Sequence, residues 1–181
     1  KFHVLIFGGS QGARAVNNAM AGALTSLEKF NGNLTITHQT GEADFERIRE
    51  AYADSKFANA DVRPFISNMS AEFGKADLII SRAGATTCAE LSAAGKASIM
   101  IPLPTAADDH QRKNAEALEE GGAAKMILQR DLTGEKLATE ISRLVESPFT
   151  ITEMEKAAKS MGRVDAAEKT ADIIEELKRN V

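Results

Sequence analysis

The sequence predicts an α/β fold, a Rossmann-like doubly wound parallel sheet of about six strands. Short runs of apolar and β-branched residues alternate with longer segments in which apolar residues recur at helical spacing. The first run leads directly into a glycine-rich loop and then into a helical segment. With 43% hydrophobic and 27% charged residues in 181 positions, the composition is that of one large globular domain.

The predicted strands and helices alternate as far as residue 128. The strands cover residues 2–7, 34–38, 61–65, 77–80, 98–101 and 124–128. The helices cover residues 11–28, 43–53, 69–75, 86–94 and 109–120. Such alternation is typical of βαβ units, whose right-handed crossovers place helices on both faces of a parallel sheet. Ligands of these sheets bind outside the carboxyl ends of the strands, which directs attention to the loops after strands one, four and five.

Beyond the last strand, the sequence predicts only helices. One helix presents four apolar residues on a single face: Leu137, Ile141, Leu144 and Val145. Pro148 then breaks the chain, and the Thr-Ile-Thr-Glu segment at 150–153 has the form of a capping box that opens another helix. A final helix has an apolar stripe made of Ala167, Ala171, Ile174 and Leu177. We predict a single domain over residues 1–181, with residues 150–181 as its C-terminal helices.

The charge and cysteine content exclude several classes of function. A net charge of −4 argues against nucleic acid as the main partner, and against binding to an anionic membrane by charge alone. Cys88 is the single cysteine, so the chain has no disulfide framework and no cysteine-based zinc site. No apolar run is long enough to cross a bilayer, and no signal peptide opens the chain. Because Lys1 almost directly precedes the first strand, we expect the chain to be part of a longer protein.

The loop after strand one has the character of a phosphate-binding turn. Gly8 and Gly9 permit a tight turn and a close approach of the backbone to a ligand, and Gly12 follows within the same loop. The helix that comes next offers unpaired N–H groups and the positive end of its dipole. Ser10 adds a hydroxyl that can cap the helix or donate to a phosphate oxygen. The alternative is that the glycines only close a turn between a strand and a helix.

The same loop argues against a dinucleotide-binding enzyme. Ser10 stands where the G-x-G-x-x-G fingerprint requires its second glycine, and strand two is followed by no acidic residue before Glu42. An NAD-binding oxidoreductase is therefore disfavoured. A P-loop is also excluded, because no Gly-Lys-Ser or Gly-Lys-Thr occurs.

The loop after strand four predicts a second phosphate-type turn. Ser81, Arg82 and Gly84 precede two threonines and the start of a helix. Glu90 lies one turn into that helix, where its carboxylate can accept hydrogen bonds from both hydroxyls of a ribose. The alternative for Glu90 is an acidic residue favoured by the dipole at the start of a helix.

Polar residues also follow strand five. Gln111 and Asn114 share one face of the predicted helix and suit the recognition of sugar hydroxyls. The alternative makes Asp108 or Asp109 an N-cap and the remainder a solvated face. His110 is a general base by residue type, but no Ser or Cys nucleophile pattern accompanies it.

The remaining histidines and the cysteine carry no predicted chemistry. His3 and His38 belong to predicted strands, and we interpret them as packing residues. Cys88 has no partner and is interpreted as an inert, small hydrophobic residue.

Taken together, these motifs resemble those of the MurG family of bacterial glycosyltransferases. The matching segments are 8–14, 81–86, Glu90, His110-Gln111 with Asn114, and the tail segments 157–162 and 165–167. The order and spacing of the motifs carry the resemblance, which covers essentially the whole chain but only the C-terminal half of a full-length enzyme. The family transfers N-acetylglucosamine from UDP-N-acetylglucosamine to lipid I, forming lipid II in peptidoglycan synthesis.

The resemblance implies a two-domain GT-B fold in which this half binds the donor. It assigns the diphosphate to Ser10 and its loop, assisted by the turn at 84–87, and the ribose to Glu90. It pairs uracil with the backbone of Ile66, and assigns the sugar hydroxyls to Gln111, assisted by His110 and Asn114. It also allows Arg82 to stabilise the leaving UDP. The implied donor-binding residues are Gly9, Ser10, Gln11, Gly12, Ile66, Met69, Arg82, Gly84, Ala85, Thr86, Thr87, Glu90, His110, Gln111 and Asn114.

The sequence departs from some relatives at two of these turns. Ala83 stands where some have serine, and His110 where some have glutamine. These departures bear on the choice of sugar, and not on the nucleotide site.

The resemblance also implies what this half lacks. The catalytic base and the lipid-facing surface belong to an N-terminal acceptor half, so we expect no catalytic residue here and little turnover by this chain alone. We expect no cofactor and no metal, a cytoplasmic protein, and a full-length enzyme peripheral on the cytoplasmic face of the inner membrane. Two alternatives remain at this point: the donor-binding subunit of a two-chain UDP-N-acetylglucosamine transferase, and an NAD-binding oxidoreductase domain.

Overall fold

A single parallel sheet organises the molecule. The computed structural model of the chain describes residues 1–9 and 11–162. Its strands are β1 Phe2–Phe7, β2 Leu34–Gln39, β3 Asp61–Arg63, β4 Leu78–Ser81, β5 Ser98–Met100 and β6 Ala124–Met126. They lie in the order β3-β2-β1-β4-β5-β6, and every neighbouring pair is parallel. The predicted Rossmann-like doubly wound sheet is confirmed.

Helices follow the strands and cover both faces of the sheet. They are α1 Arg14–Leu27, α2 Phe45–Ala53, α3 Met69–Lys75, α4 Ala85–Ala94, α5 His110–Glu120, α6 Gly134–Val145 and α7 Pro148–Met161. None of these described helices is long and apolar enough to cross a membrane. The final helix predicted around Ala167, Ala171, Ile174 and Leu177 lies outside the described residues.

The core consists of two apolar layers, one on each face of the sheet. Successive residues of β1 point to opposite faces, so Val4 and Ile6 pack with α1, α2 and α6, while Leu5 and Phe7 pack with α3, α4 and α5. The α7 helix contacts both layers, because Met154 belongs to the first and Ala158 to the second. The predicted apolar face of α6 is confirmed by the burial of Leu137, Ile141 and Leu144.

Several predicted element boundaries are wrong by one to three residues, for identifiable backbone reasons. The α1 helix begins at Arg14 and not at residue 11, because Gly12 has a φ of +73° and cannot continue a right-handed helix. The α5 helix begins at His110, because Asp109 has a φ of +56°. The β3 strand ends at Arg63, directly before Pro64, which has no N–H to donate to a ladder.

The start of α7 corrects the predicted capping box. Pro148 is the first residue of the helix, where its missing N–H and fixed φ are tolerated. Ser147 caps the helix by accepting a hydrogen bond from the N–H of Thr150 at 3.4 Å. Thr150 is therefore inside the helix, and the proline opens this element.

A buried polar network fixes the turn after β2 against α1. The Nδ2 atom of Asn17 donates to the carbonyl of Thr40 and to Oδ2 of Asp44, both at 2.9 Å. His38 lies with Nε2 at 3.1 Å from Oδ1 of Asn17, and with Nδ1 at 3.1 Å from the hydroxyl of Tyr52. Because the asparagine oxygen can only accept, His38 carries its proton on Nε2 and accepts from Tyr52. Burial lowers the pKa of His38 to about 3, so the fold contains the neutral imidazole.

Two glycines let α1 and α6 approach each other closely. A Cβ atom on Gly134 would lie 2.6 Å from the carbonyl oxygen of Gly22, which is well inside van der Waals contact. A Cβ atom on Gly22 would lie 3.4 Å from the Cα of Gly134, which is an ordinary contact. The contact should therefore tolerate alanine at position 22 but not at position 134.

We expect Gly134→Ala to lower the free energy of unfolding by about 1–3 kcal/mol, because the added methyl group must push the two helices apart. Gly22→Ala serves as the control and should change it by less than about 1 kcal/mol, in either direction, because the methyl group fits and alanine favours a helix. Urea unfolding of both variants measures the difference. Equal changes in the free energy of unfolding for the two variants would show that the contact between α1 and α6 does not require glycine at position 134.

We expect stability to fall as the pH drops from about 6.5 to about 3 because of His38. In the unfolded chain His38 takes up a proton near its ordinary pKa, while in the folded chain it stays neutral until the pH reaches its lowered pKa. Within that window the unfolded state binds one more proton, which costs about 1.4 kcal/mol of stability per pH unit. Urea unfolding of the wild type and of His38→Gln should show the stability advantage of the wild type shrinking as the pH falls. A difference in stability that does not change with pH would contradict a neutral His38 in the folded chain.

Candidate functional site

The candidate site lies where the order of the strands reverses. β1 is paired with β2 on one side and β4 on the other, and Phe7 at the end of β1 is opposite Ser81 at the end of β4. The chain runs from β1 to β2 and β3 on one side, and then returns to β4 on the other side of β1, so the loops after β1 and β4 lie side by side at the carboxyl edge. Open α/β sheets bind their ligands at such a switch point.

These loops line a cleft of about 430 Å³, here called the loop cleft. Its walls come from the loop after β1, the turn after β4, the exit of β5 and the first turns of α1 and α5. The predicted donor-binding residues that line it are Gly9, Gly12, Arg82, Gly84, Thr87 and Gln111. The sequence-predicted loops therefore meet in one place.

The helices that open onto the loop cleft have free N-termini. Within the described residues, neither α1 nor α4 has a side-chain cap, and neither has an acidic residue in its first turn. Away from the loop cleft, α3, α6 and α7 are capped by the side chains of Asn68, Thr133 and Ser147, and α2 lacks a side-chain cap but has Glu46 in its first turn. First-turn N–H groups that are not capped, at the positive end of the helix dipole, favour an anion.

Arg82 makes two hydrogen bonds to the exit of β5 and a third to the segment after β6. Its guanidinium donates to the carbonyls of Ile101 at 3.1 Å and Pro102 at 3.2 Å, and to Oε1 of Gln129 at 2.6 Å. Burial lowers its pKa from the ordinary value. A guanidinium has five N–H groups, so donors remain beyond these three bonds. Its predicted contact with the leaving group therefore relies on the remaining donors.

Gln111 and Asn114 each use one atom to position a loop of the cleft. Oε1 of Gln111 accepts from the N–H of Leu103 at 3.0 Å, and Nδ2 of Asn114 donates to the carbonyl of Ala83 at 3.0 Å. The sequence predicted sugar contacts for both side chains. The amide nitrogen of Gln111 and the amide oxygen of Asn114 are the groups left for that purpose.

The acidic residue predicted to bind ribose lies in a neighbouring cleft. Glu90 is exposed and lines a space of about 440 Å³ between α3 and α4, here called the helix cleft, together with Met69, Phe73 and Lys96. The α4 helix connects the two clefts, since Gly84 and Thr87 at its start face the loop cleft.

Ile66 is buried between these regions, and its backbone N–H is already engaged. That N–H donates to Oε1 of Gln39 at 2.8 Å. The carbonyl oxygen of Ile66 accepts no hydrogen bond from the described residues. The carbonyl is thus the backbone group of Ile66 that has no hydrogen-bond partner among the described residues.

Four further predicted residues do not line either cleft. Gln11 is exposed, Ala85 and Thr86 are exposed in the first turn of α4, and His110 is exposed with Nδ1 at 2.7 Å from the carbonyl of Ala107. Ser10 lies outside the described residues. The contacts predicted for these residues stay predictions.

The alternative interpretation, in which Asp108 or Asp109 is the N-cap of α5, is correct for the position of Asp109 but not for a capping hydrogen bond. Asp109 occupies the N-cap position of α5, but its side chain makes no capping hydrogen bond and instead pairs with Arg112. Both aspartates have a positive φ, which is uncommon outside glycine.

Sequence reasoning did not assign two residues that the structure brings to the site. Arg14 lines the loop cleft with its side chain 72% exposed, and its Nε lies 3.3 Å from Oδ1 of Asp44. Gln39 bonds to both the loop after β1 and the segment at Ile66. The basic residue at the start of a helix was a usable signal for Arg14, whereas nothing in the sequence separates Gln39 from an ordinary polar residue at a strand end.

The described residues give little support to metal binding or to thiol chemistry. Within residues 1–9 and 11–162, no group of three or more His, Cys, Asp or Glu side chains could hold a metal ion. Burial raises the pKa of Cys88 to about 11, so its thiol is protonated and unreactive. A third cleft, of about 310 Å³, lies at the amino ends of β1 and β2 near His3 and Asp61, away from the carboxyl edge.

Comparison with known proteins identifies close relatives. Residues 3–176 match the model of the glycosyltransferase family 28 C-terminal domain. A UDP-N-acetylglucosamine–N-acetylmuramyl-(pentapeptide) pyrophosphoryl-undecaprenol N-acetylglucosamine transferase from Citrifermentans bemidjiense is 54% identical over 167 residues, covering 92% of this chain and 46% of the relative. The enzyme of the same name from Myxococcus xanthus is 49% identical over 177 residues, covering 98% of this chain and 46% of the relative.

A solved structure supports the same relationship. The crystal structure of MurG from Acinetobacter baumannii superposes with a TM-score of 0.85 at 38% identity, covering 97% of this chain and 52% of that one. The chain therefore spans about half the length of the curated relatives that it matches.

Proposed function

This chain belongs to the glycosyltransferase family 28 C-terminal domain family, and on that basis we propose that it binds UDP-N-acetylglucosamine as the donor half of an inverting glycosyltransferase. The relatives that share about half of its residues are named as N-acetylglucosamine transferases. The family match favours this function over an NAD-binding oxidoreductase, in agreement with the incomplete glycine fingerprint.

The proposed reaction belongs to the whole protein. The acceptor hydroxyl of lipid I attacks the anomeric carbon of the donor, a base removes the proton of that hydroxyl, and UDP leaves with its electron pair from the opposite face. The products are lipid II and UDP. We assign the base and the lipid-binding surface to an N-terminal half, and the donor to this chain. The full protein is proposed to act at the cytoplasmic face of the membrane.

One observation carries the proposal: within the described residues, the three helices whose first turns line the loop cleft, α1, α4 and α5, have neither a side-chain cap nor an acidic residue in the first turn. A diphosphate supplies the acceptors that these N–H groups lack. Because the dipole ends favour negative charge, they also stabilise the charge that develops on UDP as it leaves. The proposal needs no metal or cofactor for this step.

The rest of the donor follows from the positions of the other groups. Glu90 lines the helix cleft together with Met69, and we assign to its carboxylate the hydrogen bonds from the ribose hydroxyls. The carbonyl of Ile66 accepts from the imino N–H of uracil, since the Ile66 N–H is engaged by Gln39. The amide nitrogen of Gln111 donates to the sugar at the mouth of the loop cleft.

We expect UDP and UDP-N-acetylglucosamine to raise the melting temperature of this chain, and ADP and NAD to leave it unchanged. A ligand at about 100 times its dissociation constant adds about 2.7 kcal/mol of stability, which is readily measured by thermal unfolding. Stabilisation by NAD without stabilisation by UDP would overturn the proposal. Equal stabilisation by UDP and ADP would show that the site does not read the base, and it too would contradict the proposal.

We expect Glu90→Gln to remove the preference of the chain for ribose over deoxyribose. The carboxylate accepts from two hydroxyls, whereas the amide retains one acceptor, so UDP affinity should fall about tenfold while dUDP affinity changes little. Calorimetric titration with both nucleotides measures the ratio. Glu153→Gln, an exposed substitution on α7, is the matched control and should leave both affinities unchanged. An unchanged UDP to dUDP ratio in Glu90→Gln would remove Glu90 from the ribose site.

A further inference from the structure

We propose that Gln39 is a positioning residue that couples the diphosphate part of the donor site to the base part. This inference rests on the proposed function and extends it to a residue that makes no proposed contact with the donor. Gln39 ends β2 and is only 2% exposed.

The side chain of Gln39 bridges two segments through a single carboxamide. Its Nε2 donates to the carbonyl of Gly9 at 2.9 Å, and its Oε1 accepts from the N–H of Ile66 at 2.8 Å. Because the carboxamide is planar, the two hydrogen bonds fix the relative orientation of the Gly9 carbonyl and the Ile66 N–H. A buried amide with both ends hydrogen-bonded is costly to disturb, because a lost partner leaves a buried polar group unpaired.

The sheet order explains why a single residue can do this. The Gly9 loop follows β1, the Ile66 segment follows β3, and β2 lies between those strands. Gln39 is paired in register with Phe7 of β1 on one side and with Arg63 of β3 on the other. Its side chain therefore reaches both neighbouring loops from the middle strand.

The bridge has a consequence for a ligand that spans both segments. In UDP the base and the diphosphate are joined by the ribose, so both can bind well only when the two protein segments are correctly spaced. Such alignment lets the affinities of the two parts reinforce each other. Separate fragments do not depend on the spacing, because each binds to one segment only.

The test compares UDP with its separate parts, uridine and pyrophosphate, in the wild type and in Gln39→Leu. We expect UDP affinity to fall about tenfold, while the affinities for uridine and for pyrophosphate each change less than about twofold. Equal losses for UDP and for its parts, or no loss for UDP, would overturn the proposal. If the wild type binds UDP no better than ADP, the proposed function fails, and the coupling is judged by the next measurement alone.

That second measurement follows the backbone amide resonance of Ile66 during the addition of saturating pyrophosphate. We expect the resonance to shift in the wild type, because Gly9 and Ile66 are joined through Gln39, and to stay in place in Gln39→Leu. Gln39→Met gives an independent check, since its unbranched side chain is of similar length but has no donor for Gly9, and it should also abolish the shift. A shift of wild-type size in either variant would overturn the coupling.

Discussion

The close packing of the loop after β1 against the turn after β2 is the constraint on which the site depends. A Cβ atom on Gly12 would overlap the carbonyl oxygen of Thr40, and a Cβ atom on Gly41 would overlap the backbone of Gln11. Both glycines have a positive φ, so each is required for space and for conformation. Asn17 then holds the carbonyl of Thr40. The position of α1 and of its free N-terminus follows from this contact.

Many polar side chains around the site form hydrogen bonds with the backbone of the protein. Arg82, Gln111 and Asn114 each bond to main-chain groups of neighbouring loops, and Gln39 bonds to two. The backbone N–H groups at the starts of α1 and α4 then remain available to bind a ligand. A site built in this way obtains rigidity from its side chains and binding from its amide groups. Such rigidity lowers the ordering cost of binding a ligand.

The sequence allowed the sheet, its parallel order and the convergence of three loops to be predicted, because those follow from periodicity and from the rules of βαβ connection. The exact helix starts at Arg14, His110 and Pro148 could not be predicted, because they depend on the φ angles of Gly12 and Asp109 and on a serine cap. The separation of Glu90 from the loop cleft also depends on how α3 packs against α4. The engagement of Ile66 by Gln39 is a contact between residues 27 positions apart, which no local pattern encodes.

The α7 helix contributes to both layers of the core and packs along α4, whose first turn faces the loop cleft. During synthesis the chain emerges from its N-terminal end, so the strands and loops of the site exist before residues 148–161 do. Until that helix arrives, α4 lacks a neighbour and each apolar layer is incomplete. During synthesis, completion of the candidate site therefore waits for a contact of large sequence separation. A nascent chain that stalls before α7 leaves part of each apolar layer uncovered.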